Sequence, residues 1–313
     1  MVHCLSRTFL SSKRDDILKS VRGDSKGEAE KLMATIDSNI GVLTDVLNQK
    51  EGTGTVGERE KLDAAYPAQV ALVNSIGDLE ALMVPADYAK KLEANIPSEY
   101  SDLPRLLGRA KVEFVLEKPG KGEKFDVEGT LYDQVRLVME LDGYTAPITA
   151  GCIMDLVGRG FYSGKTINRS DGFVVQTGDP DPEGEKHDYI PPGASEPRKI
   201  PLEIAVKGDP FPMYSLTTED DSRGYAATKL PFQAYGALGM ARSEFEADSA
   251  SSQFFWLLFD SDLTPAGKNL LDGRYTNFGY TVENSELLAD VKEGDVIKST
   301  KILSGMEAFK KSK

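Results

Sequence analysis

The chain is nearly without histidine and cysteine. Its 313 residues hold His3, His187, Cys4 and Cys152. Neither histidine has the spacing of a zinc ligand set or a catalytic triad, so histidine-based acid–base or metal chemistry is not expected. Two cysteines cannot make a disulfide framework: Cys4 lies in the terminus and Cys152 in an apolar helical run. No motif asks for a metal or any other cofactor. Long apolar runs are also missing. The longest uncharged one, Phe254 to Phe259, is far below the ~20 residues that span a bilayer, so membrane insertion is not expected. Positive charge is short as well. The net charge is −13, with −3 over residues 1–110 and −10 over the rest. Such a surface repels phosphate backbones and anionic lipid, which argues against nucleic-acid and membrane partners.

The first 14 residues carry Arg7, Lys13, Arg14 and three serines but no acid. That composition is like the tail of an organelle transit peptide. The segment is too short to be a whole one and is expected to fray; a gene start cut short would look the same.

Residues 1–95 show helical periodicity. Leu32, Ile36, Ile40, Leu43 and Leu47 fall on one stripe, and Leu62, Val70, Val73, Ile76, Leu79 and Met83 on another. Pro67 should start or kink the second helix. Between the stripes Gly52-Thr53-Gly54-Thr55-Val56-Gly57 matches a dinucleotide-loop pattern. That loop needs a preceding strand and here follows a helix, so it reads as a helix connector. A third helix is predicted from Pro85 to Asn95. The expected organisation is a helical bundle over 1–95, a docking linker over 96–111 and a β-rich domain over 112–313.

In that domain Val112 to Leu116 alternates, Val135 to Leu141 is a firm strand, and Pro147 opens a helix to about Val157. Ile190 to Tyr235 is a long excursion rich in proline, glycine and acid. A second helix is predicted over Glu286–Val291 and a closing strand over Val296–Leu303. Asp179-Pro180-Asp181-Pro182-Glu183 reads as a solvated acidic loop, since its prolines break calcium-ligand spacing. Asn168-Arg169-Ser170 is formally a glycosylation sequon, expected to be unused.

Residues 161–179 place one cation, Arg169, beside Phe173, Val174, Val175 and the neutral amide Gln176. Strand alternation puts Phe173 and Val175 on one face, Val174 and Gln176 on the other. A lone arginine there serves either as a surface salt-bridge partner or as a donor to a ligand. Three further motifs follow in order: Gly239-Met240-Ala241-Arg242-Ser243, then Ser251-Ser252-Gln253-Phe254-Phe255, then Leu270-Leu271-Asp272-Gly273-Arg274-Tyr275 with Phe278-Gly279. Together, over about Val135 to Ser304, these resemble the cyclophilin family of peptidyl-prolyl cis–trans isomerases. The helical region and the junction Ile96–Ala110 look like those of the multidomain cyclophilins of the chloroplast thylakoid lumen.

The resemblance implies a closed antiparallel β-barrel capped by two helices, following an N-terminal helical bundle. It implies Arg169, Gln176 and Phe255 as catalytic residues. Phe173, Val174, Ala241, Arg242, Gln253, Leu270, Leu271 and Tyr275 would bind substrate. Phe173, Val174, Phe255 and Leu271 would line an apolar proline slot, and Gln176 would orient Arg169 or bind substrate backbone. Partners would be proline-containing peptide or protein clients, subunits of photosynthetic membrane complexes among them.

Several pocket positions depart from the family pattern. Arg242 stands for an asparagine, Leu270 for a tryptophan, Tyr275 for a histidine and Val174 for a methionine. The Arg169–Phe173 loop is one residue shorter and polar. Leu270 implies weakened cyclosporin binding. Two readings follow: an isomerase acting through Arg169, or a low-activity cyclophilin-fold chaperone or binding module for photosynthetic complex assembly.

Overall fold

The computed structural model describes residues 10–48, 55–259 and 269–311. Expectations for His3, Cys4, the fraying start over residues 1–9 and the Gly52–Gly54 connector lie outside them. The chain divides into two compact units between Tyr88 and Ala89.

The first unit contains helices α1 (Arg14–Ser20), α2 (Lys26–Asn48) and α3 (Thr55–Ala81). Ala29, Met33 and Ile36 of α2 pack with Leu79, Leu82 and Val21. The predicted α3 stripe is out of phase: Leu62, Val73 and Ile76 are exposed. The face that meets α2 runs through Ala68, Leu72, Ser75 and Leu79, at spacings of four, three and four. Two of those residues are small and let the helices approach, and Asn39 Nδ2 donates to Ser75 Oγ at 3.1 Å. On α2, Leu47 is exposed although it shares the face of Ile36 and Ile40, because it lies in the last turn of the helix. Pro67 neither starts nor ends α3, which runs through it. It lies on an exposed face, where water can hydrate the Asp63 carbonyl that loses its donor.

The boundary falls one residue into α4 (Tyr88–Asn95), which starts after a turn in which Tyr88 N–H donates to Pro85 O, later than predicted, and the second unit takes the rest of this helix. Then come β1 (Arg105–Leu106), β2 (Arg109–Glu117), β3 (Phe125–Val127), β4 (Thr130–Tyr132), β5 (Val135–Asp142) and helix α5 (Pro147–Gly158). Strands β6 (Ile167–Ser170), β7 (Val174–Thr177), β8 (Glu203–Ile204), β9 (Met213–Tyr214), β10 (Ala237–Met240) and β11 (Phe254–Leu257) follow. β12 (Asn277–Glu283), β13 (Val296–Ser304) and β14 (Phe309–Lys310) complete the chain. The predicted second helix is a 3₁₀ turn, Ser285–Asp290, opened by Asn284 in the left-handed region. Six residues is long for this tighter form, whose runs seldom exceed about four.

Eight strands form one antiparallel sheet in the order β13-β2-β5-β12-β10-β11-β7-β6. Its ends are sealed to each other. Ile297 N donates to Lys165 O and Gly294 N to Ile167 O, both at 2.8 Å; Gly164 N donates to Ile297 O at 2.7 Å. The sheet is thereby a closed barrel. β2 shows the driving pattern: half-buried and buried residues alternate along its length, with Val112, Phe114 and Leu116 fully inside. The interior is aromatic, and Phe254 meets Phe114, Tyr162, Trp256 and Phe278 ring to ring.

The excursion contains little regular structure beyond β8 and β9 but is pinned at its root. Glu203 is buried with its carboxylate on the N-terminus of α5, accepting from Ile148 N at 3.0 Å and Thr149 N at 2.7 Å. Burial pushes its pKa up to about 7, and the two N–H donors only partly offset this. The folded form thus holds the proton more tightly than the unfolded chain, where a glutamate titrates near ~4.3. This contribution to stability is present in full below that value and is lost as pH rises toward 7. Glu203→Gln carries no such proton. The stability gap between wild type and Glu203→Gln should therefore narrow from pH 4 to pH 8 in denaturant titrations, and a constant gap would refute the assignment.

Candidate active site

Strand register sets up the site. Arg169 on β6 lies opposite Gln176 on β7, Gln176 opposite Phe255 on β11, and Phe255 opposite Gly239 on β10. Directly paired residues share a face. Because Phe254, Trp256 and Val175 fill the barrel, this row stands on the outside. The row above it is Val174 and Leu257, paired in register. Below it, Ala241 N donates to Gln253 O at 3.0 Å.

Gly239 is required by the row. A Cβ there would sit 2.0 Å from the Phe255 ring, which lies across the glycine. Phe255 is 5% exposed, stacked on Phe232 at 6.0 Å between centroids and edge-on to Tyr275 at 6.1 Å. With Val174, Ala237, Leu257, Leu271 and Tyr275 these rings form an apolar cluster on the outer wall, separate from the barrel core.

Arg169 is exposed and turned onto Asp171. Its Nε donates to Asp171 Oδ2 at 2.7 Å and one terminal nitrogen reaches the same oxygen at 2.5 Å. Asp171 Oδ1 accepts the N–H groups of Phe173 and Val174, each at 3.0 Å. Burial raises the Asp171 pKa, but those N–H donors and the guanidinium outweigh it and hold the carboxyl below its ordinary value. Gln176 makes no part of this arrangement: its Nε2 donates to Gln253 Oε1 at 2.9 Å. Asn168 Nδ2 reaches the same oxygen at 3.2 Å, and Gln253 Nε2 donates to His187 O at 3.3 Å. Arg169 thus takes its orientation from Asp171, while Gln176 is fixed by Gln253.

Residues 125–307, more than half of the chain, match the family described as cyclophilin type peptidyl-prolyl cis-trans isomerase/CLD. The chain belongs to this family. It is 45% identical over 250 residues to CYP38, a chloroplastic peptidyl-prolyl cis-trans isomerase of Arabidopsis thaliana, covering 80% of this chain and 54% of that one. It is 41% identical over 299 residues to a Synechocystis protein named as a thylakoid lumen peptidyl-prolyl cis-trans isomerase, covering 95% and 70%. Arabidopsis CYP37, also chloroplastic, is 31% identical over 300 residues, covering 94% and 58%. The chain therefore spans about half to two-thirds of the length of these relatives.

Among the residues named from sequence, the cyclophilin domain brings Arg169, Gln176, Phe255, Val174, Ala241, Gln253, Leu271 and Tyr275 onto one wall. Phe173 does not follow Val175 into the barrel. Gly172 takes a positive φ of 81° and Asp171 caps the turn, so Phe173 precedes the strand and its ring meets Phe259 at 5.6 Å. Leu270 points away from the Phe255 cluster and is 79% exposed. Alternation does not govern a turn, and here consecutive leucines face opposite ways.

Arg242 lines the cavity beside Gln176, Ala241 and Gln253, with its guanidinium tied down. Its guanidinium donates to Arg274 O from Nε at 2.9 Å and to Ser243 O at 2.7 Å, and lies 5.0 Å over the Tyr275 ring. The arginine and tyrosine that replace the family's asparagine and histidine pack on each other. The wall also uses residues the sequence did not single out. Phe232 comes from the excursion; its N–H donates to Asp272 Oδ1 at 2.7 Å and it is buried against Phe255. An isolated Pro231-Phe232 in a polar loop is the only signal it leaves. Asp171 reads as an ordinary turn acid until its two-sided bonding is seen.

Proposed function

We propose that the chain is a peptidyl-prolyl cis–trans isomerase. The observation that carries this reading is the lateral row Arg169–Gln176–Phe255 on the outer wall. An X-Pro bond resists rotation because nitrogen donates its lone pair to the carbonyl; for a peptide bond the barrier is roughly 18–20 kcal/mol. At the twisted transition state the pair returns to nitrogen. A guanidinium aimed there favours the twisted form over either planar one, which is what lowers the barrier. The Phe255 cluster takes the proline ring, and Gln176, held by Gln253, offers its amide to the chain beside it. No nucleophile, metal or titrating base enters. The names of the relatives, chloroplastic and thylakoid lumen, support a thylakoid-lumen location; clients among photosynthetic complex subunits are the partners we propose for that location.

A second reading, a binding module of low turnover, is favoured by one observation: the same oxygen of Asp171 takes two nitrogens of Arg169. Exchange NMR on a short proline peptide separates the two. Wild type should broaden the cis and trans signals while Arg169→Ala does not. Equal broadening by both proteins would sink the arginine mechanism. Shifts at Phe255 and Gln176 without broadening would favour the binding module.

A further inference from the structure

A cavity of about 510 Å³ lies on the other side of the 269–275 turn from the Phe255 cluster. One wall is the turn itself, with Asn269, Leu270 and Arg274; the other comes from the excursion, with Thr218, Glu219 and Tyr225. The two walls are joined at their base, where Thr218 N donates to Gly273 O at 2.9 Å. A side chain at Gly273, whose φ is 78°, would collide with Thr218. The cavity is therefore built by a close junction of two segments.

Three features specify an occupant. First, Asn269 is 2% exposed and half used. Its Oδ1 accepts Leu271 N–H at 3.0 Å, but its buried Nδ2 donates to nothing. A buried donor without an acceptor is costly, and an incoming carbonyl oxygen relieves it. Second, two large side chains with apolar surface stand open on the rim: Leu270 is largely exposed and Tyr225 fully so. Third, the charges at the mouth cancel, since Arg274 donates to Glu219 at 2.6 Å. A neutral ligand with a carbonyl and an apolar group fits all three. An extended peptide presents both.

We infer that this cavity is a second anchoring site for the client chain. It takes an apolar side chain between Leu270 and Tyr225, and the neighbouring backbone carbonyl accepts the Asn269 amide. The inference rests on the proline-peptide reading for the nature of the client. Leu270 and Leu271 are consecutive, ~3.8 Å apart at Cα, and face the cavity and the Phe255 cluster respectively. One extended client can therefore reach both sites within a few residues.

The test uses the full chain and two kinds of probe. One is a blocked tetrapeptide with an X-Pro core. The other is a set of ten-residue peptides with the same core and a single leucine moved along otherwise polar flanks. Fluorescence polarisation should show one leucine position binding roughly tenfold tighter than the rest, as one recovered hydrogen bond predicts. Tyr225→Ser, a surface change, should remove that gain and leave tetrapeptide binding as in wild type. Asn269→Asp keeps the acceptor for Leu271 N–H, replaces the donor and should also remove the gain. If no leucine position tightens binding, or if the gain survives in Tyr225→Ser, the site is not used and the inference falls. If the tetrapeptide is neither bound nor exchanged, the isomerase reading falls on its own. A leucine-dependent affinity lost in Tyr225→Ser would then still support the cavity.

Discussion

Arg169→Ala is expected to slow prolyl exchange by about 100-fold, and Asp171→Asn to speed it by up to about fivefold. The first figure is the usual effect of removing a donor aimed at transition-state charge. The second follows from the geometry of the pair. Arg169 and Asp171 are both well exposed, so their attraction is screened and worth about 0.2–1 kcal/mol. An arginine that turns toward a prolyl nitrogen must leave or share that carboxylate. Asparagine keeps an oxygen for the Phe173 and Val174 N–H groups, so the turn survives while the competing charge is gone. Line-shape analysis of one proline peptide with the three proteins gives the ratios. Because the Asp171 carboxyl lies below its ordinary pKa, it stays ionised from pH 5 to pH 8. The ratio of Asp171→Asn to wild type should be flat across that range. Slower exchange in Asp171→Asn would mean that the carboxylate positions the arginine instead of competing for the substrate.

Two adjacent phenylalanines are expected to fail in opposite ways. Phe254→Ala should cost about 3–5 kcal/mol of stability, because it empties the centre of the barrel where four aromatic rings meet it. Phe255→Leu should cost under about 1.5 kcal/mol, since volume is nearly kept on the outer wall. It should nonetheless weaken proline-peptide binding, because the stack on Phe232 and the edge contact to Tyr275 are lost. Urea titration and peptide titration of both variants would separate the effects. Equal destabilisation by the two changes would show that the outer cluster is part of the fold and not a site.

The sequence was informative where a period of two or an ordered set of motifs was present. Val112 to Leu116 alternates because one face of the strand meets the barrel interior, and alternation needs no partner to be seen; in Val135 to Leu141 the alternation breaks at Val138, which is buried between Leu137 and Met139. The row of Arg169, Gln176 and Phe255 was legible in two motifs, though only strand register puts the three residues side by side. What could not be read depends on segments without a period. Phe232 arrives from the excursion, and nothing local says where a loop phenylalanine will land. Leu270 turns outward because it lies in a turn. On α3 the packed face is marked by Ala68 and Ser75, small residues that a search for leucine and valine passes over.

The sealing of residues 164–167 onto 294–297 has a consequence for how clients can be held. Where residues 164–167 meet 294–297 the main sheet offers no free backbone edge, so an unfolded chain cannot join it there as a further strand. A client held as proposed lies across side chains on the outer wall, where each contact is separately weak and separately reversible. Release then requires no strand to be peeled away. The same closure removes that stretch of edge as a place for two copies of this domain to zip together, a useful property for a protein whose proposed work is done among partly folded chains.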